Sequence, residues 1–242
     1  MKTLGILGGM SPASTATYYN LINQKINAIK GANTTAPMIL YSVDFERIVA
    51  CQKADDWQAS GQILADMAVK LQSIGADGIL LATNTMHKNA PQILASISVP
   101  FLHIVDATAH AIIAQNIDKV ALLGTQFVME QDFYKDGLAS FGIETITPNP
   151  DERADIHRII FEELCVGQIC KNSKERYLQI IAKLKSQGAK GVILGCTEIG
   201  LLIGQEDLDT PVFDTARLHA DMAVDFILGA WFCWCAVLGV ML

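Results

Sequence analysis

The sequence predicts an α/β protein made of two similar parallel-sheet domains, and two features of its 242 residues carry that expectation. Short runs rich in Val, Ile and Leu alternate with longer segments of helical apolar spacing, the pattern of βα units that place a parallel sheet between helices. The sequence also repeats itself, which points to a duplicated unit. Gly75-Ala76-Asp77-Gly78-Ile79-Leu80-Leu81-Ala82-Thr83-Asn84-Thr85 overlays Gly188-Ala189-Lys190-Gly191-Val192-Ile193-Leu194-Gly195-Cys196-Thr197-Glu198. Leu4–Gly9 overlays Val120–Thr125, and Pro100-Phe101 leading to Asp106-Ala107-Thr108 is matched by Pro211-Val212-Phe213-Asp214-Thr215. Two such halves would face each other across a cleft, with the site expected between them.

In chain order, strands are expected at Thr3–Leu7, Met38–Ser42, Gly78–Leu81, Phe101–Ile104, Val120–Leu123, Thr145–Thr147, Gly191–Leu194 and Val212–Phe213, each a short apolar run. Helices are expected between them by apolar spacing or length, at Ala13–Lys30, Gln58–Ser73, Gln92–Ser96, Thr108–Gln115, Gln131–Ser140, Ala154–Leu164, Ser173–Gln187 and Ala216–Phe226. The organisation that follows is a first domain at 1–106, a second at 107–213, a C-terminal helix at 214–228 returning to the first, and an apolar tail at 229–242.

Composition narrows the function. A net charge of -7 and a pI near 5.2 argue against a nucleic-acid partner, which would need a basic face. Hydrophobic residues at 51% and a mean hydropathy of +0.31 describe a core-rich chain. Six cysteines at irregular spacing form neither a dense disulfide framework nor paired CxxC units, so a reducing cytoplasm is the expected location. There is no HExxH and no carboxylate cluster, and no metal is required. From Phe226 to Leu242 the chain has no charged residue. A helix of that stretch would span about 25 Å, short of the roughly 30 Å hydrocarbon core, so packing is expected rather than stable membrane association.

The overlay puts Thr83 and Cys196 at equivalent positions, each just past a buried strand, where ligands bind in open parallel sheets. A following helix N-terminus would lower the Cys196 thiol pKa and favour the thiolate. Asn84 and Thr85 suit an anionic group at a helix start. Gly8-Gly9-Met10-Ser11-Pro12 is a glycine turn that permits close backbone approach to a ligand, without the pattern of a nucleotide site, and its mirror, Gly124-Thr125-Gln126, offers a second such turn. Arg47 is a candidate clamp for a carboxylate, although a solvated surface arginine fits it as well. His87, four residues after Thr83, is a candidate for orienting the site or for a structural hydrogen bond, and Glu198 is read first as a helix cap. Cys51, Cys165 and Cys170 are read as packing residues.

Together, Gly8-Gly9-Met10-Ser11-Pro12, Thr83-Asn84-Thr85-Met86-His87 and Gly195-Cys196-Thr197-Glu198 resemble the aspartate/glutamate racemase family over residues 1 to about 228. The resemblance implies two α/β domains related by a pseudo-twofold with the active site in the cleft between them, no pyridoxal phosphate or other cofactor, a small acidic amino acid as substrate and a homodimer. Glutamate racemases of this family typically carry Asp-Ser-Gly after the first strand, so Gly8-Gly9-Met10 points to the aspartate-type branch. Family members typically place a cysteine on each face of the substrate α-carbon. Here Thr83 takes one of those places, as in a subgroup acting on L-aspartate and L-glutamate. The implied site has Cys196 and Thr83 as catalytic residues, with Met10, Ser11, Arg47, Asn84, Thr85, Thr125 and Thr197 binding the substrate. Alternatives are a single-cysteine superfamily enzyme, such as a decarboxylase or cis-trans isomerase of a dicarboxylic acid, and a non-catalytic binder of acidic amino acids.

Overall fold

The computed structural model describes residues 1–230; residues 231–242, on which most of the expected apolar tail falls, lie outside the described residues. The chain forms two compact units. One comprises Met1–Ala82, Asn89–His103 and the chain from His219 onward, and the other Thr83–Lys88 and Ile104–Leu218.

The first unit contains β1 (Leu4–Gly8), α1 (Pro12–Lys30), β2 (Met38–Ser42), α2 (Phe45–Lys53), α3 (Trp57–Ser73), β3 (Gly78–Leu81), α4 (Ala90–Ser96) and β4 (Phe101–Leu102). The second contains α5 (Ile104–Ala114), β5 (Lys119–Gly124), α6 (Gln126–Glu130), α7 (Asp132–Ala139), β6 (Glu144–Ile146), α8 (Pro150–Glu162), α9 (Lys171–Ser186), β7 (Val192–Gly195) and β8 (Val212–Asp214). α10 (Thr215–Leu228) begins in the second unit and joins the first from His219.

Each sheet has four parallel strands, ordered β2-β1-β3-β4 and β6-β5-β7-β8. The sequence repeat is therefore a repeat of topology. β1 and β5 hold the second place in their sheets, β3 and β7 the third, β4 and β8 the fourth. Strands covered on both faces need continuous apolar runs, and every residue of β1, β3 and β7 is buried.

In the second unit, successive strand residues point to opposite faces. Leu123, Val192 and Leu194 pack with Ile156, Ile160, Tyr177 and Ile181 from α8 and α9. Val120, Leu122 and Ile193 face Ile112, Tyr134 and Leu138 from α5 and α7. Burying each such side chain contributes on the order of 1.5–3 kcal/mol, so the sheet is held from both sides. In the first unit, a Cβ on Gly78 would come within 2.4 Å of the Phe226 ring, so glycine admits α10 onto β3. Buried His219 of α10 accepts from the Tyr18 hydroxyl through Nδ1 at 3.0 Å and donates from Nε2 to the Leu102 carbonyl at 2.8 Å.

Several element bounds differ from the sequence reading for local reasons. The strand expected to reach Ile104 stops at Leu102, because the Ile104 N–H is taken by His87 Nε2 at 3.2 Å and Ile104 instead opens α5. α8 begins at Pro150 rather than Ala154, started by a capping box. Asn149 accepts from the Glu152 N–H and the Glu152 side chain accepts from the Asn149 N–H. α2 and α6 were not expected. They are one to three turns long and capped by Asp44 and Thr125, too short for periodicity to reveal. Among the described residues, no helix is long and apolar enough to cross a membrane.

Candidate active site

β5 and β7 lie side by side, with Gly124 opposite Gly195 in the last register pair. A Cβ on Gly124 would stand 2.8 Å from the Gly195 carbonyl oxygen, and one on Gly195 would stand 2.8 Å from the Leu123 carbonyl oxygen. Only glycine lets the two strand ends come this close, and each then delivers a reactive side chain one residue on, Thr125 and Cys196. These positions are the carboxyl ends of parallel strands, where such sheets build their sites.

Cys196 Sγ donates to Glu198 Oε2 at 3.0 Å, and the Thr197 hydroxyl donates to the same oxygen at 2.6 Å. Burial, followed by the charge of the Glu198 carboxylate, pushes the Cys196 thiol well above its ordinary value. Two sequence readings are corrected here. The helix start expected to favour a thiolate is a single 3-10 turn, Ile199–Leu201, and the nearer charge is negative. Glu198 stands at the N-cap of that turn but makes no side-chain capping bond, because its carboxylate is turned to Cys196 and Thr197. The resting group is a thiol against a carboxylate. The signal available in the sequence was the i,i+2 spacing of Cys196 and Glu198 across a strand-to-turn junction.

The segment Thr83–Lys88 clusters with the second unit, so Thr83, Asn84, Thr85, Thr125, Cys196 and Thr197 share one unit. Thr83 through His87 are buried in it. Asn84 Nδ2 donates to Thr215 Oγ1 at 3.0 Å, and Thr215 Oγ1 donates to the Leu194 carbonyl at 2.8 Å. Because the Thr215 proton is committed to that carbonyl, the oxygen must accept from Asn84, which settles the orientation of the amide. Asn84 Oδ1 is thereby left buried without a hydrogen-bond partner. A buried acceptor in that state costs about 1–3 kcal/mol, which a ligand bearing N–H groups would recover. Thr85 Oγ1 and Thr125 Oγ1 lie 2.9 Å apart, and Thr125 Oγ1 also accepts the Val128 N–H. Their mutual bond uses one of two hydroxyl protons and leaves one for a substrate oxygen.

His87 takes the structural role. Nδ1 lies 2.7 Å from the Thr83 carbonyl and donates to it, while Nε2 accepts from Ile104, so the ring clasps the Thr83 turn to the start of α5. Met10, Ser11 and Arg47 belong to the first unit. Ser11 caps α1, accepting the Ser14 N–H at 3.2 Å, and Met10 is buried. The glycine turn before them serves the protein's own chain. Gly9, at φ +95°, approaches Val43, whose carbonyl oxygen would lie 2.5 Å from an added Cβ. Arg47 is exposed on α2 and has no partner among the described residues. Cys165 is exposed on a 3-10 turn rather than packed in the core.

Fold and site together describe a two-unit α/β protein with a thiol hydrogen-bonded to a carboxylate at a strand end. A family model described as Asp/Glu/Hydantoin racemase matches residues 7–223. A crystal structure from Yersinia pestis, provisionally described as an Asp/Glu racemase, is 49% identical, with a TM-score of 0.90 over 94% of this chain and 100% of that one. An aspartate racemase homologue from Pyrococcus horikoshii OT3 is 37% identical, with a TM-score of 0.83 over 94% of this chain and 100% of its own. The Broad specificity amino-acid racemase RacX of Bacillus subtilis (strain 168) is 27% identical over 229 residues, 93% of this chain and 98% of that one. The chain belongs to the Asp/Glu/hydantoin racemase family.

Proposed function

We propose that this protein is a cofactor-independent racemase of the acidic amino acids aspartate and glutamate. In this reading Cys196 works on one face of the substrate α-carbon and Thr83 on the other. The observation that carries it is the contact of Cys196 with Glu198. Racemisation needs an acid and a base on opposite faces and a stabilised carbanion between them. As a thiol, Cys196 protonates a carbanion directly. As a base it first passes its proton to Glu198, and the thiolate then takes the α-proton, so the negative charge moves from Glu198 through sulfur to the substrate carbanion. Thr83, or a water held by its hydroxyl, gives a proton to the other face, and the alkoxide or hydroxide left there is reprotonated from solvent as Glu198 releases its proton, which resets the site.

Asn84 is reassigned by its orphaned oxygen. An acceptor suits the substrate ammonium, whereas a carboxylate needs donors. The spare proton of the Thr85–Thr125 pair suits the α-carboxylate. Thr197, whose proton is committed to Glu198, orients that carboxylate. Arg47, without a partner among the described residues, is the group proposed for the substrate's side-chain carboxylate, and Met10 and Ser11 remain proposed through the family resemblance alone.

The test is net racemisation of L-aspartate and L-glutamate, followed by chiral chromatography for the wild type and Cys196→Ala. Appearance of D-product with the wild type and none with the variant is expected. Turnover of a malonate- or maleate-like acid without racemisation would instead establish the single-cysteine alternative, which the threonine at position 83 favours.

A further inference from the structure

A pocket lies in the second unit, along the chain that carries Cys196. It encloses about 330 Å³, and its walls include Leu194 at the end of β7 and Gly200 in the turn after Glu198. Its apolar floor is Leu194, Ile203 and Val212, and three charged groups line it, Arg217, Glu206 and Asp214. Asp214 is already occupied. Its Oδ1 accepts the Ala216 and Arg217 N–H groups, and its Oδ2 accepts Arg217 Nε at 3.2 Å. That bond holds the guanidinium by one edge and leaves both terminal nitrogens without a partner among the described residues. The Glu206 carboxylate likewise has no partner there, since the neighbouring acid Asp207 takes Lys174. Elsewhere on this unit, Arg153, Arg158 and Arg176 are each paired with a carboxylate.

We propose that this pocket is a second amino-acid site, which takes a small neutral α-amino acid as its zwitterion. The Arg217 terminal nitrogens meet the α-carboxylate, Glu206 takes the ammonium, and the aliphatic side chain rests on Leu194, Ile203 and Val212. An acidic side chain is disfavoured by Glu206 and Asp214, so the site selects against the substrates proposed for the Cys196 site. A planar guanidinium facing a carboxylate gives two parallel hydrogen bonds, which supplies affinity at a partly exposed place. Gly200 belongs both to the pocket wall and to the turn after Glu198. A Cβ there would lie 2.9 Å from Asp214 Oδ2, so the turn after Glu198 rests directly on the pocket wall.

The experiment is saturation-transfer NMR of L-valine with the full chain, repeated with excess L-aspartate and with Arg217→Gln and Glu206→Gln. The expected result is a valine signal that persists with L-aspartate present and falls at least tenfold in both variants. The circular dichroism spectrum and melting temperature of both variants should match those of the wild type, which shows that they fold. No valine signal, a signal displaced by L-aspartate, or one unchanged in both variants would overturn the site. The readout is binding, so it stands or falls independently of whether Cys196 racemises anything.

Discussion

Cys196 and Glu198 share a proton across 3.0 Å at the end of β7, with the hydrogen on sulfur in the resting protein. A carboxylate in that place raises the thiol pKa, and in the proposed reaction it is also the base that takes the thiol proton. The two effects pull in opposite directions on the population of thiolate, and two different measurements on one variant read them.

Glu198→Gln removes both. Without the base, α-proton exchange should fall by about 10²–10⁴, the usual contribution of a positioned general base. Without the negative charge, the thiol should titrate at lower pH. Iodoacetamide labelling of Cys196, read by peptide mass mapping against pH, should therefore shift its midpoint to lower pH in the variant. A midpoint that is unchanged or raised would show that Glu198 does not act on the thiol.

Asn84 is held by Thr215 so that Oδ1 stays available. Asn84→Leu should raise KM for the amino-acid substrate more than tenfold, with a smaller change in kcat, because the lost contact serves the ammonium in ground and transition states alike. Thr215→Val keeps Asn84 but frees its amide to turn, and should give an intermediate KM. Steady-state kinetics on both variants checks this, and equal effects would mean that Thr215 binds substrate directly.

His219 should make the first unit acid-sensitive. Burial, against the Leu102 hydrogen bond that favours the charged ring, holds its pKa down to about 3, compared with 6.5 for a free histidine. His103, the nearest charge partner, also opposes protonation. The unfolded chain therefore binds the proton first as pH falls. The stability this group contributes is complete above about pH 6.5 and declines below it, by about 2 kcal/mol at pH 5. Urea unfolding at pH 7.5 and pH 5 should show a shallower loss for His219→Gln than for wild type. Parallel losses would remove His219 from the account.

Much of the fold was legible because its signals are periodic or repeated. The buried runs Leu4–Leu7, Gly78–Leu81 and Val192–Leu194 and the overlay of residues 75–85 on 188–198 led directly to two equivalent sheets. The parts that escaped depend on contacts distant in sequence. The start of α5 is set by the ring of His87, 17 residues earlier. The chemical state of Cys196 is set by the direction of the Glu198 side chain, which spacing alone does not give, so a helix cap and a thiolate were expected where the structure has a thiol and its base. The reach from Asn84 to Thr215 spans 131 residues, and the orphaned Oδ1 that reassigns Asn84 has no sequence signature.

With a thiol on one face only, the two enantiomers should exchange their α-protons unequally. Equal free energies require equal kcat/KM in the two directions of net inversion, but exchange with retention is under no such constraint. The enantiomer facing Cys196, proposed to be L, should gain deuterium with retention faster than it inverts, and the D-form should exchange little without inverting. Thr83→Cys should narrow the gap. Equal retention-exchange for both enantiomers in the wild type would require a second base on the Thr83 side.

The most direct test of the central claim, that Cys196 is the group that removes the α-proton, is proton NMR of L-aspartate and L-glutamate in D₂O with wild type, Cys196→Ala and Cys51→Ala. Loss of the α-proton signal with wild type and Cys51→Ala, and its persistence with Cys196→Ala at a rate lower by orders of magnitude, is the predicted result. Exchange by Cys196→Ala at a rate close to wild type would contradict it.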